Sequence, residues 1–185
     1  MRILGISGSF RDGSHNTRLL RAAARALPPG VELELFDGLR DLPPYCEDGD
    51  TDPAPEAIES LRQQIEAADA LLIATPEYNA SIPGVLKNAV DWASRPFPDN
   101  ALRGKPVAVI GASTGLFGAV WAQAELRKVL NHIGADVLEE ELPVGLADQA
   151  FTPAGDLADP ELHERLGELV EALAREVRTP VGASR

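Results

Sequence analysis

Residues 70–84 read ALLIATPEYNASIPG. The first five carry no polar side chain, which marks a strand buried on both faces, as in a parallel sheet with helices packed on either side. Within a few residues the chain passes from hydrocarbon to a carboxylate, a phenol, an amide and a hydroxyl. These are Glu77, Tyr78, Asn79 and Ser81, set between Pro76 and Pro83. A surface turn needs only the proline and Gly84. In a parallel α/β sheet ligands bind beyond the carboxyl ends of the strands, and this polar run follows directly on such an end.

Upstream, Ile3-Leu4-Gly5-Ile6 is a first strand, and Thr17 to Leu27 is a helix with one apolar side, stopped by Pro28-Pro29-Gly30. Val31, Leu33 and Leu35 alternate with Glu32 and Glu34, as in a strand half exposed at a sheet edge. The long loop FDGLRDLPPYCEDGDTDPAP follows, then a helix marked by Ile58, Leu61 and Ile65. Downstream, Pro83 opens a helix on Leu86, Ala89, Val90 and Ala93, and Pro106 to Gly111 is a fourth strand. Leu126, Val129, Leu130 and Ile133 repeat the helical spacing before Gly134. Ala135 to Leu138 is a fifth strand, with Glu139, Glu140 and Glu141 solvating its end, and Leu162 to Val177 supplies a last amphipathic helix. Strand–helix alternation with right-handed crossovers predicts an α/β, flavodoxin-like three-layer sandwich with a five-stranded parallel sheet in order 2-1-3-4-5. One domain is expected over residues 1–178, with 179–185 as a polar tail.

The chain has 185 residues and a formal net charge of −12, which disfavours nucleic acid or an anionic membrane as the main partner. An anionic ligand would be repelled overall, so any phosphate site has to be made by local donors. No stretch approaches the ~20 apolar residues of a membrane helix. Cys46 is alone, which rules out an internal disulfide and points to a reducing setting such as the cytoplasm. Its acidic neighbours Glu47 and Asp48 speak against a reactive thiolate.

Three loops leave the carboxyl ends of strands 1, 3 and 4. The first, GSFRDGSHNTRLL from Gly8 to Leu20, has neither a dinucleotide fingerprint nor a P-loop lysine. It sets Ser9, Arg11, Ser14, Asn16 and Thr17 around a helix start, where inward N–H groups, the helix dipole and a guanidinium suit a phosphate monoester. The second is the PEYNAS run, whose mixture of donors and acceptors suits the edge of a flat heterocycle. The third, Ala112 to Gly118, offers Ser113 and two glycines for close backbone approach. Ordinary capping and turn chemistry would produce each loop singly. Their joint occurrence at one sheet edge is what points to a ligand.

GSFRDGSHNTRL, PEYNASIPGVLKNAVDW and GASTGLFG, in that order, resemble the NADPH-dependent FMN reductase family, over residues 3 to about 150. The resemblance implies an FMN cofactor, NADPH or NADH as reductant, and small acceptors such as quinones or free flavin. It places the FMN phosphate on Ser9, Arg11, Ser14 and Asn16. Pro76, Glu77, Tyr78 and Asn79 would line the ring, and Ser113 and Gly115 would approach it from the third loop. It also implies a homodimer or homotetramer. Some members carry a second glycine after the third loop, where this chain has Ala119. The flavin would carry the hydride chemistry, so no side chain is expected to act as a catalytic residue. A non-enzymatic flavodoxin-like electron carrier is the alternative; a flavin-free binding module is a third reading.

Asp48, Asp50 and Asp52 mimic the start of a calcium loop, but Pro53 stands where glycine is required. His15, His132 and His163 have no zinc spacing, and no metal is expected. Trp92 and Trp121 suit core or interface positions.

Overall fold

In the computed structural model, which describes residues 1–178, β3 (Ala70–Thr75) is buried along its whole length. It pairs in parallel with β1 (Arg2–Ser7) on one side and β4 (Pro106–Ala112) on the other. β2 (Glu32–Phe36) and β5 (Asp136–Val144) close the edges, giving a five-stranded sheet in order β2-β1-β3-β4-β5 with every pairing parallel. The tail expected at 179–185 lies outside the described residues.

Each face of the sheet has its own core. On one, Leu4, Ile6, Leu71, Ile73, Val107 and Val109 meet α2 (Glu56–Ala67), α3 (Gly84–Ala93) and α4 (Val120–His132). On the other, Ile3, Ala70, Leu72, Ala108 and Ile110 meet α1 (His15–Arg25) and α5 (Pro160–Arg178). Successive strand residues point to opposite faces, so an unbroken apolar run such as Ala70–Ala74 feeds both. Trp92 is the largest fully buried side chain, whereas Trp121 stays half exposed.

Several boundaries differ from the sequence reading by a residue or two, and two differences have a clear physical cause. α1 begins at His15 rather than Thr17, because Ser14 is its N-cap and its hydroxyl accepts from the Thr17 N–H at 3.2 Å. β5 runs on to Val144, so Glu139, Glu140 and Glu141 lie within the strand and not at its end. The register against β4 shifts between Val107 and Val109, which interrupts the apolar alternation. On this edge strand Glu139 and Glu140 face solvent, while Glu141 meets Arg127 at 3.2 Å.

The long loop after β2 is pinned to α3. Asn88 accepts from the Tyr45 N–H at 2.7 Å and donates to the Pro43 carbonyl at 2.9 Å, and Trp92 Nε1 donates to the same carbonyl at 2.8 Å. Arg62, almost fully buried, donates to Asp50 at 2.8 Å and to the Trp92 carbonyl at 3.2 Å. These ties order a loop too long and polar to pack by itself.

Candidate functional site

The three loops converge. After β1, the Gly8 N–H donates to the Ala74 carbonyl at 2.8 Å, which sets the first loop beside the exit of β3. Gly13 (φ 68°) then turns the chain in the left-handed region into the Ser14 cap of α1. Arg40 grips this loop from outside, lying 4.7 Å over the Phe10 ring and donating to the Phe10 carbonyl. Asn16 enters the sheet: its Nδ2 donates to the Ala112 carbonyl and its Oδ1 accepts from the Ala112 N–H, both at 2.9 Å. The side-chain amide thus pairs with β4 as a peptide of a neighbouring strand would.

The second loop is a two-residue turn in which Tyr78 and Ser81 exchange backbone hydrogen bonds of 3.0 and 3.1 Å. Its central residues, Asn79 (φ 54°) and Ala80 (φ 58°), are both left-handed, the geometry of a type I′ turn. The Glu77 carboxylate points away from the turn. Its Oε2 accepts from the Trp121 and Ala122 N–H groups at 3.0 and 3.1 Å. These are the second and third positions of α4, whose own N-cap, Ala119, has no side-chain acceptor. Glu77 therefore caps a helix 44 residues downstream and places a negative charge at its positive end.

The third loop rests on the chain that follows β5. Ser113 N–H donates to the Val144 carbonyl, Ala147 N–H to the Ser113 carbonyl and Leu146 N–H to the Gly115 carbonyl, each at 3.0 Å. Only glycine permits this approach at Gly145, where a Cβ would lie 2.3 Å from the Leu116 carbonyl oxygen. All four described non-glycine residues with positive φ, Asn79, Ala80, Ala119 and Leu146, sit in or beside these loops. Backbone strain concentrates at functional sites in this way. The left-handed conformation of Ala119 is one that glycine would adopt without strain.

Between the loops lies a cleft of about 270 Å³, lined by Ser9, Arg11, His15 and Asn16, by Pro76, Glu77 and Tyr78, and by Ala112, Ser113 and Thr114. A larger hollow of about 610 Å³ between β5 and α5 is rimmed by Glu140, Glu141, Glu168 and Glu171 with Arg165 and Arg175. It lies away from the strand ends and matches no predicted site residue.

Of the expected residues, Ser9, Arg11, Asn16, Pro76, Glu77, Tyr78 and Ser113 border the cleft. Ser14 lies beneath it as a helix cap, and Asn79 and Gly115 are exposed outside its lining. The Asn16 amide and the Glu77 Oε2 are already turned to the protein, so these two build the cleft. His15, Ala112 and Thr114 also line it without having been among the expected site residues. The signal for His15 was its place at the first residue of α1, between Arg11 and Arg18.

The chemistry of the donor set fits a phosphate monoester joined to a flat ring. Arg11 is exposed at the cleft, and among the described residues the N–H groups of His15 and Asn16, at the start of α1, have no partner. The His15 Nδ1 is buried and unpartnered. Around the other end, the N–H groups of Glu77, Thr114 and Gly115 likewise have no partner among the described residues. The volume falls just below the usual range for enclosed ligand sites, so a ring held here keeps part of its surface open.

The fold is flavodoxin-like, and the cleft lies at the switch point between β1 and β3, where ligands bind in sheets of this kind. Residues 1–149 match the family described as NADPH-dependent FMN reductase. An NAD(P)H-dependent FMN reductase of Pseudomonas aeruginosa is 46% identical over 179 residues, covering 96% of each chain. A 2-hydroxy-1,4-benzoquinone reductase of a Burkholderia species is 37% identical over 179 residues, covering 96% of this chain and 97% of that one. Among solved structures, the flavoenzyme FerB of Paracoccus denitrificans, an NAD(P)H:(acceptor) oxidoreductase, superposes with a TM-score of 0.84 at 36% identity, covering 96% and 97%. The chain belongs to the NADPH-dependent FMN reductase family.

Proposed function

We propose that the protein is an FMN-dependent NAD(P)H oxidoreductase that reduces quinones, free flavin or similar small acceptors. The observation that carries this reading is the meeting of the Arg11 loop, the Pro76–Tyr78 segment and the Ser113–Thr114 segment around one open cleft. When bound, FMN supplies the hydride chemistry, receiving from NAD(P)H and delivering to the acceptor.

The protein's part is placement and electrostatics. Arg11 and the start of α1 hold the phosphate against a net charge of −12. Pro76, Tyr78, Ser113 and Thr114 border the ring, and the free N–H groups of Glu77, Thr114 and Gly115 are donors for negative charge that develops on it. Asn16 and Glu77 fix the loops to β4 and α4. No nucleophile or general base is required of any side chain. An open ring face lets reductant and acceptor use the same place in turn, a ping-pong cycle.

The macromolecular partner is a second copy of the chain. Tyr78, Leu116, Phe117 and Trp121, all exposed, form an apolar rim beside the cleft, with Phe117 and Trp121 edge to face at 5.2 Å. A homodimer or homotetramer that covers this rim would complete the ring's enclosure.

Purified protein tests the function directly. Flavin absorbance should accompany it or appear on adding FMN. Anaerobic NADPH or NADH should bleach that absorbance, and a quinone should restore it. Bleaching by neither nucleotide would leave a flavin carrier instead, and no flavin binding would exclude both.

A further inference from the structure

His15 is the one described residue of the cleft with a buried, unsatisfied titratable atom. Its Nδ1 has no hydrogen-bond partner, although its ring borders the same cleft as Arg11. The imidazole lies nearly parallel to the Phe151 ring, with centroids 6.4 Å apart and planes 7° from each other. Arg18, one turn along α1, covers the Phe151 ring at 4.5 Å. A buried polar atom without a partner is costly in a folded protein, and here it stands among cations at the anion-seeking start of a helix.

We infer that His15 is a proton-carrying contact of the phosphate site: its imidazole takes up a solvent proton when a phosphate monoester enters the cleft. The inference rests on the functional reading above and adds to it a specificity residue and a pH dependence of cofactor capture.

The charges around His15 support this. Arg11 faces it from the preceding loop, Arg18 from α1 itself and Asp148 from the connection after β5. Glu77, across the cleft, is held by the start of α4. Burial first, then Arg11 and Arg18, hold the His15 pKa below its ordinary value, against the smaller upward pull of Asp148. The free protein therefore presents a neutral imidazole near pH 7. A phosphate dianion reverses the balance of charge by offsetting both arginines and favouring the imidazolium. Binding and protonation then strengthen each other by linkage, so acidification favours FMN binding to the parent over a variant without the imidazole, until His15 is protonated even without ligand. One linked proton sets a limit of about tenfold in affinity per pH unit.

The chain has three histidines, and His132 and His163 are exposed. The His15 imidazole resonance is followed by NMR against pH. The expected result is a His15 midpoint that rises when FMN binds. Riboflavin, which lacks the phosphate, should leave it in place. In parallel, the FMN dissociation constant is measured by fluorescence quenching from pH 7.5 to 5.5 for the parent, His15→Asn and His15→Phe; the last keeps a ring against Phe151. The FMN phosphate titrates near pH 6 in all three proteins, so the ratio of dissociation constants isolates His15. That ratio should widen towards acid by about five- to tenfold in favour of the parent. FMN bound with an unmoved His15 midpoint, or profiles that stay parallel, would overturn this inference alone. A protein that binds no FMN would overturn the functional reading and this inference with it.

Discussion

Replacing Asn16 by alanine separates two roles that the motif and the structure give it. As a phosphate ligand, Asn16 would affect cofactor affinity and leave the free protein's stability untouched. In the structure both of its bonds go to the Ala112 backbone at 2.9 Å, and its side chain is almost fully buried. Asn16→Ala strands a buried N–H and a buried carbonyl at the end of β4. Each costs about 1–3 kcal/mol when left unpaired, so the expected destabilisation is about 2–6 kcal/mol. At about 2–4 °C per kcal/mol for a chain of this size, Tm should fall by about 4–24 °C. Urea unfolding of FMN-free protein, followed by circular dichroism, measures it. A midpoint lowered with an unchanged slope supports the structural role. Parent-like stability with a lost affinity for FMN would refute the argument and return Asn16 to the phosphate.

Arg11→Ala should weaken FMN binding by about 1.5–3 kcal/mol, roughly 10- to 150-fold, with little effect on the FMN-free fold; equal affinity in a fluorescence titration would place the phosphate elsewhere. Glu77→Ala should cost about 1–2 kcal/mol in urea unfolding because the start of α4 loses its cap, and Glu77→Gln, which keeps an acceptor oxygen, should recover at least half. Ala80→Gly should stabilise the protein by about 0.5–1 kcal/mol, since an exposed alanine is held at φ 58° and relief of about 1–2 kcal/mol exceeds the entropy glycine adds to the unfolded chain; a lower urea midpoint would contradict this. The lowered His15 pKa has a definite sign. The unfolded chain takes up this proton first, near pH 6.5, so the His15 contribution to FMN-free stability is intact above that pH and declines as pH falls towards the folded value. His15→Asn should flatten that decline in thermal unfolding between pH 7.5 and 5.5.

The layers and strand order were legible because the decisive signals are local. Ala70–Ala74 declares a doubly covered strand, and the helices around it have clear periods and stops. β5 was read short because the register shift beside Val107–Val109 sets three acids in the middle of an edge strand, where alternation stops reporting the strand. The loops that form the cleft were equally plain, but the work of their side chains was not. Asn16 meets a backbone 96 residues away and Glu77 caps a helix 44 residues on; neither partner leaves a trace in the motif. A hint did exist in the start of α4, where Gly118-Ala119-Val120 offers no capping side chain. His15 was passed over because histidines were weighed for metal spacing, not for the cations beside it.

The pairing of Asn16 with Ala112 has a consequence during synthesis. A growing polypeptide on the ribosome exposes the first loop early, yet the Asn16 amide has no backbone to pair with until the segment that becomes β4 has emerged. Capture of cofactor must therefore wait until more than half of the protein has been made. Flavin fluorescence quenching on stalled nascent chains of graded length would record when that threshold is crossed.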